Sequence, residues 1–334
     1  MTDGPLRIGI LGAAWIAPMA LVRPARRNLE AAVVGIASRD PARAAAFAAR
    51  HGIERVYAGY DELLRDPAID AVYNPLPNSH HARWTIRALD AGKHVLCEKP
   101  FAATVAEAEA MAAAAARTGR VLMEAFHYRY HPLFARLRTI VSSGELGTIQ
   151  RLEAAFCIPV FRPSDIRWRA DLAGGALMDT GCYAVHLLRH LAQSEPSVTG
   201  ATARWTRGGV DRWLRADLRF PSGASGRLTC SILSALPLRI NASVVGTSGR
   251  VDVFNFVAPQ FVHRLRVKTT DGRRSERVAG SPSYDYQLRA FVAAVRNGTA
   301  VPTGPADGVA NMRVIESIYA AAGRPRSAGD TNRR

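Results

Sequence analysis

The chain is short of lysine. Of its 44 basic residues only three are Lys, at positions 93, 99 and 268, and the other 41 are Arg. Wherever positive charge alone suffices, this sequence uses guanidinium. A retained ammonium therefore points to a need that Arg cannot meet, such as a group that gives or takes a proton. Cysteine is scarce too. Cys97, Cys157, Cys182 and Cys230 are scattered, with no C-x-x-C pair. That spacing argues against a zinc site and against a disulfide framework, and it fits reduced thiols in a cytoplasmic protein. No metal is expected. Long apolar runs are missing as well: none approaches the roughly 20 residues that span a bilayer. The N-terminal run Leu6–Leu11 is short and stops at Gly12, unlike a signal peptide. No membrane partner is expected. Acidic residues are few, 28 against 44 basic, for a net charge of +16. Such an excess invites a nucleic-acid reading. The arginines are dispersed, however, without a basic block or interleaved aromatics, which describes a solvated surface. No nucleic-acid partner is expected, although the charge favours anionic ligands.

At 334 residues and 48% hydrophobic content the chain has material for two domains. Its first third alternates strand and helix signals, the pattern of a parallel sheet. Strands are expected at Leu6–Leu11, Ala32–Ala37, Ala71–Tyr73, His94–Cys97 and Val121–Glu124. A helix is expected over Trp15–Asn28, with Pro18 in its first turn. The next helix has Asp40 as N-cap, Pro41 at the first position and Gly52 at its end. Ser79–Ala91 reads as a helix closed by Gly92. Thr104-Val105-Ala106-Glu107 is a capping box opening an alanine-rich helix that ends at Gly119.

The character changes near residue 125. From Ile149 onward strand-like runs follow closely, at Arg151–Phe156, Ala216–Phe220, Gly226–Leu233, Ile240–Val245, Arg250–Phe254 and Leu265–Thr270. Hairpin-like turns separate several of them, which points to an antiparallel sheet. Helices are expected near Leu177–Leu191, Tyr284–Asn297 and Ala306–Ala322. The fold class is thus an α/β Rossmann domain with a mostly parallel sheet, plus an α+β C-terminal domain with a large open antiparallel sheet. The boundaries drawn are 1–124 for the dinucleotide-binding domain and 125–325 for a substrate-binding and oligomerisation domain. Residues 326–334 are expected to form a frayed tail.

A dinucleotide site is expected where the first strand meets the first helix. The G-x-G-x-x-G fingerprint would run Gly12, Ala14, Ala17, with alanine in two glycine places. Backbone N–H groups of Gly12, Ala13, Ala14, Trp15 and Ile16 would approach the pyrophosphate at a helix N-terminus. A site for NAD(H) usually puts a carboxylate at the end of the second strand. Here that place carries Ser38 and Arg39, with Arg43 one turn on. A hydroxyl and guanidinium groups suit a ribose 2′-phosphate, so NADP(H) is favoured, with NAD(H) the alternative. The adjacent Asp40 counts against this if it turns inward. The rigid turn Asn74-Pro75-Leu76-Pro77-Asn78-Ser79-His80-His81 holds backbone groups in place; Pro75, Leu76, Asn78 and His81 are its cofactor candidates. Glu98-Lys99-Pro100 follows a strand, and strand ends of open α/β sheets are where ligands bind.

Further along, Gly174-Gly175-Ala176-Leu177-Met178-Asp179-Thr180-Gly181-Cys182-Tyr183 opens a helix. Asp179 and Tyr183 are four apart and share a side of it. Arg167-Trp168-Arg169 precedes them, with groups suited to a phosphate or a ring. With these segments the chain resembles the Gfo/Idh/MocA family of glucose–fructose oxidoreductase and inositol dehydrogenase-like enzymes. The marks are the glycine-rich start, Glu98-Lys99-Pro100, the run Met123–Pro132, the GGALMDTGCY segment and Ser283–Leu288, in that order over nearly the whole length. The nearest branch is that of dimeric dihydrodiol dehydrogenase and NADP-dependent xylose dehydrogenases.

The resemblance implies a Rossmann domain and a larger domain whose open sheet makes subunit contacts, in a homodimer or homotetramer. It implies hydride transfer between a nicotinamide and a sugar-like alcohol or carbonyl: an aldose, a polyol or a trans-dihydrodiol. The family's lysine falls on Lys99, beside Glu98, and its aspartate falls on Asp179. The following His-or-Tyr falls on Tyr183. Its Trp-Arg cofactor contact falls on Trp168-Arg169. Tyr183 is then the proton-transfer group with Lys99 beside it, or Lys99 transfers the proton and Tyr183 only hydrogen-bonds the substrate. Asp179 would orient substrate hydroxyls. The other function class is a non-catalytic NADP(H)-binding sensor or scaffold of the same fold; intact Lys99, Asp179 and Tyr183 weigh against it. Ala14, Ala17 and a shortened glycine run before Ala176 depart from the family pattern.

Overall fold

The structure is a computed structural model that describes residues 4–234 and 238–323. The tail expected at 326–334 lies outside the described residues. Strands β1 (Leu6–Leu11), β2 (Ala31–Ala37), β3 (Arg55–Tyr57), β4 (Ala71–Asn74), β5 (His94–Cys97) and β6 (Leu122–Glu124) form one sheet. A second contains β7 (Ile149–Cys157), β8 (Ser197–Trp205), β9 (Asp211–Arg219), β10 (Ser225–Ser231), β11 (Arg239–Gly246), β12 (Gly249–Phe254), β13 (Arg264–Thr269) and β14 (Gly272–Glu276). The α-helices are α1 (Arg23–Arg26), α2 (Pro41–His51), α3 (Tyr60–Arg65), α4 (His81–Asp90), α5 (Val105–Thr118), α6 (Pro132–Ser142), α7 (Cys182–Ala192), α8 (Ser283–Asn297) and α9 (Pro305–Ala321). The chain divides into two compact units. The first holds the chain up to Tyr130 together with Ser281–Val309; the second holds His131–Gly280 and the chain from Ala310 on.

In the first unit every strand pairing is parallel, in the order β3-β2-β1-β4-β5-β6. The direction of travel reverses between β1 and β4, so the carboxyl ends of those strands flank the crevice where such sheets take ligands. Ile8, Ile10, Ile36, Tyr73, Leu96 and Met123 form a buried core with Leu288, Phe291 and Val292 of α8. The local signals work as their chemistry demands. Asp40 Oδ1 accepts from the amides of Ala42 and Arg43, and Gly52 ends α2 with φ +63°. Thr104 Oγ1 accepts from Glu107 N at 3.2 Å, while Glu107 reaches back to the amide of Ala103. The helix expected over Trp15–Asn28 is corrected. A π-helical turn, Pro18–Val22, is followed by the single turn α1. Pro18 and Pro24 carry no N–H, so the regular ladder is broken, and Arg23 N–H reaches back five residues to Pro18 O.

The second unit's sheet runs β14-β13-β12-β11-β7-β10-β9-β8 and is antiparallel except for β7 with β10. Strand β7 lies between β10 and β11, which run opposite to each other, so it can be antiparallel to only one. One face is buried, through residues such as Leu152, Leu214, Leu228, Val244, Val251 and Leu265. Each such side chain contributes about 1.5–3 kcal/mol. Helix α7, nearly all buried, packs on β7 and β10. The other face carries Glu153, Asp217, Arg227, Arg250, Asp252 and Arg266, with ion pairs Arg227–Asp217 and Arg250–Asp252 both at 2.6 Å.

Candidate active site

Within the first unit the expected cofactor residues gather at the carboxyl ends of four adjacent strands, β2, β1, β4 and β5. Gly12 follows β1 with φ +97°, and its amide donates to Ala37 O at the end of β2 at 2.7 Å. A Cβ at Gly12 would lie 3.0 Å from Leu76 Cδ2, so that methyl would have to give way, and φ +97° itself disfavours any side chain there. Trp15 is largely exposed and Ala17 fully buried. Ala17 N donates to Ala14 O at 3.1 Å. Ser38 is buried, with its Oγ accepting from Asp40 N at 3.4 Å. Arg39 and Arg43 are exposed. Arg43 Nη2 lies 3.4 Å from Ala13 O, which draws it onto the loop after β1. Burial raises the pKa of the nearby Tyr60 phenol, and the positive charges of both arginines act against that rise. Asp40, the residue that could have opposed a phosphate, caps α2 instead. This cradle fits NADP(H): a side-chain-free approach at Gly12, a hydroxyl at Ser38, and guanidinium groups at the strand end.

The loops after β4 and β5 are tied together. Asn74, fully buried, donates from Nδ2 to His81 O and Thr85 Oγ1, and its main-chain oxygen accepts from Glu98 N at 3.0 Å. The His81 ring is buried, with Nδ1 2.8 Å from Pro100 O and Nε2 2.8 Å from Leu76 O. Burial pulls its pKa down to about 4, so the ring is neutral at neutral pH. A neutral imidazole has one N–H, so His81 donates to one of these carbonyls at a time. Pro75 and Leu76 are buried, and Asn78 opens a short 3₁₀ turn that runs to His80. Glu98 is buried at the end of β5. Tyr73 Oη donates to its Oε1 at 2.7 Å, and the amide of Lys99 donates to Oε2 at 3.3 Å. Lys99 itself is half-buried, and its peptide bond to Pro100 is cis.

In the second unit the GGALMDTGCY segment forms a π-helical turn, Leu177–Gly181, leading into α7. Its glycines answer to contacts. A Cβ on Gly174 would lie 2.5 Å from Arg167 O, and one on Gly175, at φ +127°, would lie 2.1 Å from Asp211 Oδ1. A Cβ on Gly181 would meet Cys230 Sγ at 2.9 Å. Asp211, buried at the start of β9, holds the turn from outside: its Oδ2 accepts from Leu177 N at 2.7 Å and its Oδ1 from Tyr319 Oη at 2.9 Å. Asp179 accepts from Arg167 Nε at 2.6 Å. Tyr183 is buried, edge-on to Phe156 of β7 with ring centroids 5.5 Å apart. Trp168 lies in a short 3₁₀ turn, and Arg169 pairs with Asp171 at the surface. Lys99 thus belongs to the first unit, and Asp179, Tyr183, Trp168 and Arg169 to the second. Reasoning from sequence missed Tyr73, Tyr60 and Asp211, and left Arg167 without a partner. All four meet residues distant in sequence, which no local spacing signals.

The family described as "Oxidoreductase family, NAD-binding Rossmann fold" matches residues 6–126, and the GFO/IDH/MocA C-terminal domain matches residues 134–252. The chain belongs to the Gfo/Idh/MocA oxidoreductase family. Among its relatives is D-xylose 1-dehydrogenase (NADP(+)) 2 of Haloferax volcanii, 40% identical over 95% of this chain and 97% of the relative. The dTDP-3,4-didehydro-2,6-dideoxy-alpha-D-glucose 3-reductase of Saccharopolyspora spinosa is 34% identical over 98% of this chain and 99% of its own. The solved structure of KijD10, a 3-ketoreductase from Actinomadura kijaniata in complex with NADP and TDP-benzene, superposes with a TM-score of 0.89. It is 30% identical, covering 95% of this chain and 98% of that one.

Proposed function

We propose that this protein is an NADP(H)-dependent oxidoreductase that interconverts an alcohol and a carbonyl on a sugar-like substrate, an aldose, polyol, keto sugar or trans-dihydrodiol. The observation that carries the reading is membership of the family over both units, and the presence of Lys99, Asp179 and Tyr183 in the sequence supports it. The cofactor is held by the loop Gly12–Ile16, by Ser38, Arg39 and Arg43 toward a 2′-phosphate, and by Pro75, Leu76, Asn78 and Glu98. Trp168 and Arg169 complete the set. His81 acts on the cofactor through the Leu76 and Pro100 carbonyls that its ring engages. When bound, NADP(H) accepts or supplies the hydride. The chain's own task is the proton on the substrate oxygen. Tyr183 Oη takes that proton in oxidation and returns it in reduction. The Lys99 ammonium stabilises negative charge developing on the substrate oxygen. Asp179 accepts hydrogen bonds from neighbouring hydroxyls and so orients the ring.

The open polar face of the eight-stranded sheet supports a homodimer formed through that face, and four buried, scattered cysteines support a cytoplasmic setting. The test is a panel of aldoses, polyols and dihydrodiols with NADP⁺ and NAD⁺, followed by absorbance of the reduced cofactor. Turnover with NADP⁺ on at least one sugar is expected. NADPH binding without turnover on any of them would instead support a sensor.

A further inference from the structure

Asp179 does not stand alone. Arg167 Nε donates to its Oδ2 at 2.6 Å, while Arg167 Nη1 donates to both oxygens of Asp165 at 3.1 and 3.2 Å. All three side chains are largely shielded, with relative exposures of 22% for Arg167, 22% for Asp165 and 14% for Asp179. The guanidinium is therefore gripped from two directions, which fixes its plane. The main chain beneath it is fixed as well. Asp165 Oδ1 accepts from the Arg167 amide at 3.0 Å, and the carbonyl of Arg167 packs against Gly174, where no Cβ fits. A planar fork reaching two carboxylates is something Arg provides and Lys does not.

We infer that Arg167 is a positioning residue for the proposed reaction: it holds the Asp179 carboxylate in the one orientation that receives substrate hydroxyls. The inference rests on the proposed role of Asp179. It also narrows the substrate class. Two carboxylates and one guanidinium leave one net negative charge on this cluster. That end of the site takes hydroxyl donors of an uncharged sugar and disfavours a carboxylate or phosphate there.

The experiment is a double-variant cycle on Arg167→Gln and Asp179→Asn. Turnover is read with NADP⁺ and a neutral aldose such as D-xylose or D-glucose. Calorimetry reads binding of the same sugar to the cofactor-loaded protein, and this reports on the pair even without turnover. Arg167→Gln is expected to lower kcat/KM and sugar affinity by roughly 10- to 100-fold, the scale of one charge-assisted hydrogen bond. Affinity for NADPH is expected to stay within about twofold of wild type, since no cofactor contact is removed. The double variant is expected to be no worse than the more damaged single variant. Arg167→Lys is expected to recover part of the loss by charge alone. Asp165→Asn, which leaves the Arg167–Asp179 bond intact, gives a milder loss and serves if Arg167→Gln does not fold. Losses that multiply in the double variant, or a wild-type protein that binds no neutral sugar, overturn the inference. Sugar binding that obeys the cycle without turnover supports it while refuting the proposed reaction.

Discussion

Asp211 makes a demanding test of how the second unit holds its π-helical turn, Leu177–Gly181. Its carboxylate is 1% exposed and accepts from Leu177 N, the first amide of the π-helical turn, and from Tyr319 Oη. Asp211→Ala strips an acceptor from two buried donors. A hydrogen bond to a charged group contributes about 1.5–3 kcal/mol, so the expected loss is about 3–6 kcal/mol. For a unit of this size each kcal/mol moves the midpoint of thermal unfolding by roughly 2–4 °C, so a drop of roughly 6–24 °C is expected. Tyr319→Phe removes one of the two bonds and is expected to give about half that drop. Asp211→Asn keeps the shape but turns an N–H₂ toward one donor, and falls between the two. The assay is a thermal melt followed by circular dichroism. A melt of Asp211→Ala within about 2 °C of wild type would refute the reasoning, because two buried donors cannot lose a charged acceptor so cheaply.

Arg39→Ala is expected to weaken NADPH binding by roughly 10- to 100-fold and to leave NADH binding within about twofold, measured by quenching of cofactor fluorescence. Equal losses for both cofactors would remove Arg39 from the 2′-phosphate. A pH effect follows from Glu276, which accepts from Arg136 at 2.6 and 2.7 Å and from Arg274 at 2.8 Å. These arginines hold its pKa down to about 2, below its ordinary value of 4.5. The stabilisation is complete above pH 4.5 and is lost as pH falls toward about 2. Glu276→Gln is expected to flatten the fall in melting temperature across that window; an unchanged fall would mean that the cluster does not couple to folding.

Much of the fold is legible where chemistry is local. The Asp40-Pro41 start and Gly52 stop of α2 need only neighbours, and so does the Thr104–Glu107 box. The alternation of β10 through β13 is legible because one face is buried and the other polar. What escapes is largely irregular or long-range; the exception is α6, a regular helix whose start at His131-Pro132 is a local cap. Both π-helical turns are misread as ordinary helix, since their periodicity differs by less than a residue per turn. The short β3 and α3, and the edge strands β8 and β14, carry too little apolar patterning to stand out. The parallel pair β7–β10 is invisible because it depends on which strands flank β7. Of the proposed reaction, the residue types at positions 99, 179 and 183 are readable in the sequence. Their supports are not. Arg167 acts across 12 residues, and Asp211 across 34 and 108. Tyr73 reaches Glu98 only because β4 and β5 are adjacent.

The most direct measurement compares wild type with Lys99→Met for NADPH binding and for turnover of the best sugar in the panel. NADPH affinity within about threefold of wild type is expected, with a fall in kcat of roughly 10²–10³, the cost of removing one group that stabilises charge developing on the reacting oxygen. Turnover by the variant at the wild-type rate would contradict the account.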